Sequence, residues 1–568
     1  MNEEEENPDP NPNPNPNFLL LPRREPFEHG ILPIPKLLFS DGALTLVPLR
    51  DRLLLRRSPE SGLLSAEAVA ESLQIPPDHA ALVLEVLASV LPPTTDRQIS
   101  DKEADVLDLV LFLYLQGYKR LGPRGHKDSA AVADVWPSTS AFDGCLSALS
   151  PIQLVRSNSR RFMPSQADQE AHQLSYLQKH MPNILALLAE PVEGEGDESL
   201  VLTLEKFKHL GLLIQFVQND CEGVPLSRAV PFFANSDPNM PAVPVPASQV
   251  LDWILESIAA SLEHGLEKTP SKENGSINAA DLDMTVADAS LTRSQGGSSL
   301  SNTVMPTYSR NLAFVESISK SSVVKQPCDI KGHSIKVLNC HESVIYILAP
   351  LSYATVYGCS DVTVVLGAVG KAVRVEHCER VQVITAARRI CIANCRECLF
   401  FLGVNQRPLI IGDNHKLKVG PYNTFYPLLE EHMSKVGINA SVNRWDAAFV
   451  LGMVDPHDSL SNPAGVSDVQ AESATCLHPD QFTTFLIPKW FAVESTKPTI
   501  DNPFTLPETY IASLRKNLSI LNDIQQVIRN AQLEDNQKRN LSCALHVHFK
   551  DWLYASGNIR QLYCLQGD

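Results

Sequence analysis

The chain has 568 residues, 44% of them hydrophobic and 20% charged, which exceeds one hydrophobic core and sets the expectation of a globular protein of about two to four domains. The formal net charge of −17 and the lack of any long basic run exclude a general nucleic-acid binder, because neutralising phosphates takes clustered Lys and Arg. Twelve Cys are too sparse for a disulfide-built module, and no apolar run of roughly 18 residues free of charges and breakers offers a membrane span.

Residues 1–21 read as a tail: the opening MNEEEENPDPNPNPNPN is acidic and rich in Pro and Asn, whereas a secretory signal opens with positive charge and runs into an apolar stretch. The sequons at Asn274, Asn439, Asn517 and Asn540 are then expected to be chance matches in a cytoplasmic protein. Residues 22–265 read as an all-α domain. Ser65–Gln74, Asp78–Ser89, Glu103–Leu121, Gln166–Met181, Leu200–Gln218 and Ser248–Leu262 each carry apolar residues at three- and four-residue spacing, separated by Pro-rich breaks. Residues 266–304 are polar, rich in Ser, Asn and Gly and free of aromatics, so a linker is expected there.

Residues 305–440 differ in kind. Cys340, Cys359, Cys378 and Cys395 follow one another at intervals of 19, 19 and 17 residues, and the flanks repeat with them. Five positions before each Cys stand Ile335, Ala354, Val373 and Ile390, and three before it Val337, Val356, Val375 and Ile392. Three, five and seven positions after it stand Ser343/Val362/Val381/Cys398, Ile345/Val364/Val383/Phe400 and Ile347/Leu366/Thr385/Leu402. Each repeat is therefore two short strands with alternate residues facing inward and a Cys at the corner. One such unit cannot bury its own apolar face, so the units must stack, which predicts a right-handed parallel β-helix with the Cys as small core residues.

Beyond the repeat, Tyr422–Pro427 precedes a helix-like Leu428–Lys435, and Phe482–Phe491 reads as a buried strand or packing segment. Residues 441–568 are expected to be a C-terminal helical region in which Pro507–Gln532 and Glu534–Tyr554 are amphipathic and able to pair as an antiparallel hairpin.

Residues Leu366–Cys378 (LGAVGKAVRVEHC) resemble the L-G-P-V-x-G-S-V-x-x-x-x-C rung of the tubulin-binding cofactor C (C-CAP) family. Gln406–Ile411, Tyr422–Pro427 and Asn443-Arg444-Trp445 are similar to later motifs of that family, so that the resemblance covers some 130 residues. The flanks, the Ala386–Ile390 rung and Phe482–Phe491 are most similar to a subgroup associated with centrosome or spindle-pole regions and with the cytoskeleton. Activating members of the family place an arginine finger, in a C-Q-Q-x-R-x-x-x-C motif, against the γ-phosphate of a bound GTPase. Aligned on Cys395, this chain has Arg388 and Arg389 in place of the two Gln, and Cys391 in place of the finger. A thiol has no fixed positive charge and cannot substitute for a guanidinium fork.

The resemblance thus implies a non-catalytic cytoskeletal scaffold with no cofactor and no catalytic residue. Its alternative is a GTPase activator for tubulin or an Arf-like GTPase that uses a displaced arginine, with Arg374, Arg388 and Arg389 as substitutes; a folding chaperone is a third reading. The candidate partner-binding residues are Lys336, Arg374, Arg388, Arg389 and Arg396, since Ile335–Gly403 carries seven Lys and Arg against five Asp and Glu, a mild bias toward an acidic protein partner. Cys395-Arg396-Glu397-Cys398 matches CxxC but has no second pair at metal-ligand spacing and falls on inward positions. Gly367–Lys371 is too short for a phosphate loop and is expected to be a turn between rungs. His546 and His548, two apart on a helix, do not share a face, so no metal site is expected.

Overall fold

The computed structural model describes residues 18–30, 32, 43–92, 102–118, 166–191, 200–218, 222–224, 226, 230–233, 243–267, 312–330, 332–412, 414–451, 473–488, 498–531 and 533–555. The polar stretch 268–304 lies outside them. The N-terminal part is built from helices α1 (Arg24–Glu28), α2 (Ala43–Arg56), α3 (Ala66–Leu73), α4 (Pro77–Val90), α5 (Val106–Tyr118), α6 (Gln166–Leu188), α7 (Leu204–Phe207) and α8 (Ala247–Glu267). Local sequence accounts for several ends. Ser65 caps α3 by accepting from the Ala68 amide, and Pro77 opens α4 where its missing N–H costs nothing.

One expectation fails at the level of elements. Leu200–Gln218 is not a single helix but the strand Leu200–Leu202, the turn α7, a 3₁₀ segment Lys208–Leu212 and the strand Ile214–Gln218. The strand Ile214–Gln218 pairs antiparallel with Phe18–Pro22, and Leu20, Ile214 and Phe216 are buried beneath α6 and α8. Apolar spacing alone did not distinguish this buried strand from a helix turn.

From Leu312 the chain winds into a parallel solenoid whose 13 strands form one continuous sheet system. The predicted register is the observed one: Ile335, Ala354, Val373 and Ile390 pair in succession, as do Ile345, Val364, Val383 and Phe400. All eight side chains are at most 1% exposed, so the interior is a ladder of like residues. Cys340, Cys359, Cys378 and Cys395 sit at the corner of each coil, and each thiol points to the carbonyl two residues before it at 3.2–3.5 Å. The corner turns because the residue before each Cys is left-handed: Asn339, Gly358, His377 and Asn394 all have φ between 49 and 64°. Glu342, Asp361, Arg380 and Glu397, two residues after each Cys, are left-handed too, with φ between 45 and 56°.

Gly367–Lys371 is not a turn between rungs. It lies inside the 14-residue strand Thr363–Glu376, which runs around the second corner with a register shift between Leu366 and Ala368. A Cβ on Gly367 would come within 2.7 Å of the Ala349 carbonyl oxygen, so the close approach of two coils requires glycine there.

Helix α9 (Leu429–Val436) ends at Gly437 in the left-handed conformation and lies over the long strand. Phe482 and Phe485 are buried as a packing segment without regular structure. Two long helices follow, α10 (Glu508–Asn530) and α11 (Asp535–Ala555). They are not packed side by side, so the hairpin suggested by their sequence is not formed. Among the described residues no helix is long and apolar enough to cross a membrane.

Candidate functional site

In each coil, the strand before the Cys presents outward the residues that alternate with the buried ladder. Pairing from coil to coil brings Lys336, Thr355, Arg374, Cys391, Leu409 and Phe449 into one outward column. Arg374 and Cys391 are thus direct neighbours across one rung. The column is not open. The N-terminal helices lie on it, and Leu409, Leu451, Cys391 and Phe449 join the same apolar cluster as Leu53, Val83 and Leu113.

Several polar residues of this seam are bonded to the N-terminal helices. Lys336 Nζ reaches Glu28 Oε1 at 2.9 Å, with the lysine side chain 4% exposed. The Arg374 guanidinium donates from Nε to Glu376 Oε1 at 2.6 Å and from Nη1 to the Glu28 carbonyl oxygen. Tyr353 Oη donates to the Ser89 carbonyl at 2.6 Å, and its ring stacks on His29 with centroids 4.3 Å apart. Arg389 Nη2 donates to Ser89 Oγ at 2.9 Å, while its Nη1 is buried without a partner. Between α1 and the solenoid remains a cavity of about 30 Å³ lined by Arg24, Glu28, His29, Lys336 and Tyr353. It has room for one or two solvent molecules, whereas a drug-sized or nucleotide ligand needs roughly 300 Å³ or more.

Burial and pairing set the protonation of the seam. Burial alone would raise the Glu28 carboxyl, but Lys336, Arg24 and His29 outweigh it and bring it down to about 2. Burial pushes His29 down to about 3, against the pull of Glu28, so the ring is neutral. Burial also opposes the charge of Arg374, yet Glu376 and Glu28 hold it above its ordinary value. The Cys391 thiol is pushed up to about 11 by burial, only partly offset by Arg374, so it is neither cationic nor a ready thiolate.

The five sequence candidates fall in three places. Lys336 and Arg374 lie in the covered column. Arg388 and Arg389 lie at the second corner against α4, where Glu85 faces Arg389, Arg444, Arg388 and Arg407; burial raises the Glu85 carboxyl despite them. Arg396 is exposed at the Cys corner. Cys395 and Cys398 are both buried and unpaired thiols in the core. The seam partners Glu28, His29, Glu85 and Ser89 were not among the sequence candidates, and no local pattern marks them, since Glu28 and Lys336 are 308 positions apart.

Outside the seam, Asp105, Asp108 and His209 converge, with His209 Nδ1 at 2.6 Å from Asp108 Oδ1 and Nε2 at 3.8 Å from Asp105 Oδ1. The imidazole bridges the two carboxylates, and Asp105 Oδ1 also caps α5 by accepting from the Leu107 amide at 2.8 Å.

Comparison with known proteins places these features. The family described as tubulin binding cofactor C matches residues 332–449, the stretch that holds the coils and the covered column. A Danio rerio protein named TBCC domain-containing protein 1 is 24% identical over 571 residues, covering 95% of this chain and 92% of its own length. The Homo sapiens protein of the same name is 24% identical, covering 84% and 80%, and the Bos taurus protein is 28% identical over 261 residues, covering 46% and 44%. Coil register, corner chemistry and these matches agree: residues 332–449 carry the tubulin binding cofactor C match, and the chain as a whole is similar to proteins named TBCC domain-containing protein 1.

Proposed function

We propose that the protein is a non-catalytic scaffold of the cytoskeleton, acting in centrosome, microtubule or cell-shape organisation, with tubulin or a tubulin-associated protein as partner. The observation that carries this reading is the covered column. The position of the family's arginine finger holds Cys391, its neighbour Arg374 is committed to Glu376 and Glu28, and the chain's own α1 and α4 occupy the face a GTPase would need. Arg389, the arginine nearest in sequence, is 2% exposed and bonded to Ser89. A finger must reach a γ-phosphate in a second protein, and these side chains are engaged within their own.

Single-turnover GTP hydrolysis by tubulin and by Arf-like GTPases, with and without the full-length chain, tests this. No acceleration is expected from the wild type, Arg374→Ala or Arg388→Ala. An acceleration of roughly tenfold or more, about 1.4 kcal/mol of barrier, that either substitution abolishes overturns the scaffold reading in favour of an activator with a displaced arginine. Proximity labelling from the full chain is expected to mark centrosomal or microtubule proteins, and labelling confined to other compartments overturns the location.

A further inference from the structure

Among the described residues, helix α10 is anchored only at its start. Tyr510 is buried edge-on against Trp445 and Phe482, its hydroxyl donates to the Leu477 carbonyl at 2.6 Å, and Ser513 Oγ donates to Asp480 at 3.1 Å. Beyond Leu514 the helix leaves Leu518, Ile520, Leu521, Ile524, Val527 and Ile528 between 40 and 68% exposed. On α11, Leu545, Val547, Phe549 and Trp552 are 49–57% exposed, and the Phe549 and Trp552 rings stack at 5.8 Å. Ten of the sixteen exposed large hydrophobics among the described residues thus fall on two consecutive helices, which marks a partner surface rather than scatter.

We propose that these helices form a homodimer interface in which α10 and α11 of two copies assemble into a four-helix bundle. Three observations select a second copy as the occupant. The first is area: ten side chains of roughly 150–200 Å², each about half exposed, present on the order of 800–1,000 Å², which is what one partner contributes to a standard two-fold interface. The second is shape. Placed at 100° per residue, the apolar residues of α10 span an arc of about 200°, wider than a two-stranded seam needs. The stripe Leu545/Phe549/Trp552 on α11 is narrower, and Val547 lies off it. Folding α11 back on α10 of the same chain would cover one flank of that arc, and the second copy's helices would cover the other. The third is charge. The polar side of α10 carries Glu508 and Asp523 against Arg515, Lys516 and Arg529, a mixed face rather than the Lys- and Arg-rich one of a helix lying on a membrane.

The inference goes beyond the scaffold reading and does not depend on the GTPase experiments. Sedimentation equilibrium of the full chain at micromolar concentration is expected to give about twice the 62.5 kDa chain mass. Leu521→Glu/Ile524→Glu is expected to raise the dissociation constant at least a hundredfold and to leave the melting of the solenoid unchanged, because neither side chain touches it. Gln526→Lys, on the polar side of α10, is expected to leave the dimer intact. A wild-type monomer at tens of micromolar, a dimer that survives the double substitution, or a monomer that co-sediments with neutral or anionic phospholipid vesicles would each overturn the proposal.

Discussion

The inside of the solenoid and the face sealed by the N-terminal helices are held by opposite means. Inside, every coil repeats the previous one, contacts are apolar, and partners lie about 19 residues apart, as Ile345 and Val364 do. At the seam the polar contacts do not repeat from coil to coil, and most of them reach hundreds of positions along the chain: Ser89 receives Tyr353 across 264 residues and Arg389 across 300. The interior therefore tolerates exchange of one small apolar residue for another, because the ladder specifies size and polarity. The seam specifies individual atoms, and removal of one partner strands the other out of water.

The comparison breaks first at the interior. Val375→Asp places a carboxylate at a site that is 0% exposed, between Val356 and Ile392, with no cation in the ladder to pair it. The expected loss exceeds about 4 kcal/mol, seen as failure of the cooperative melt followed by circular dichroism. Val375→Ile should retain the fold, at a cost near 1–2 kcal/mol for the added methylene. If the aspartate variant melts like the wild type, the coils are not packed as a dry ladder.

At the seam, Lys336→Ala leaves the Glu28 carboxylate buried without its main partner and is expected to cost about 3 kcal/mol. Lys336→Met with Glu28→Gln, which removes both charges, should recover most of it. Site-resolved alkylation gives a readout that stability alone does not. Cys391 should react slowly in the wild type, being packed and held protonated, and at least tenfold faster in Lys336→Ala as the helices loosen from the column. Unchanged Cys391 reactivity in a destabilised variant would mean that the salt bridge does not close the seam.

Sequence was sufficient for the interior because period and polarity are properties of neighbours along the chain. The apolar rows, the Cys corner and the stacking register follow from spacings of 17 to 19 residues. The left-handed corner positions were also present in the sequence, as Asn, Gly, His and Asn before the four Cys, and charged residues two places after each hid a second such row. The seam was not legible. Arg374 and Arg389 look like outward, available arginines in the repeat, and only the docking of α1 and α4 shows them engaged. Likewise Leu409, an outward position of the repeat, is 2% exposed because another part of the chain covers it.

Acid should act through two rings that the fold keeps neutral, His29 in the seam and His432 on α9 where that helix packs on the solenoid. His29 and His432 are lowered to about 3 and about 4 in the fold, chiefly by burial, from an ordinary value of 6.5. The unfolded chain therefore binds protons below pH 6.5 that the folded chain refuses, so stability is full above that pH. It falls by at most about 1.4 kcal/mol per pH unit for each ring as pH drops toward 4. Glu28, lowered from 4.5 to about 2, adds a further loss below pH 4.5. In denaturant titrations at pH 7 and pH 5, His29→Gln should flatten this slope. A wild-type stability that is flat from pH 7 to pH 4 would show that His29 is not held neutral.

The smallest effect belongs to the exposed Cys corner, which contrasts with the seam in having its charges in water. Arg380 donates Nε to Asp361 Oδ1 at 3.0 Å and Nη2 to Oδ2 at 2.8 Å, a two-point contact between adjacent coils, yet its side chain is 45% exposed. Solvent screening keeps such a pair near 0.5 kcal/mol, and added salt weakens it further, since the Debye length at about 1 M is only about 3 Å. Arg380→Ala should therefore lower the unfolding free energy by about 0.5 kcal/mol at low salt and by almost nothing in 1 M NaCl. Lys336→Ala, whose pair is out of water, should keep its cost in both. The double ratio of the two variants in the two salts separates burial from charge as the cause. Equal salt dependence would mean that the seam pair is as wet as the corner pair.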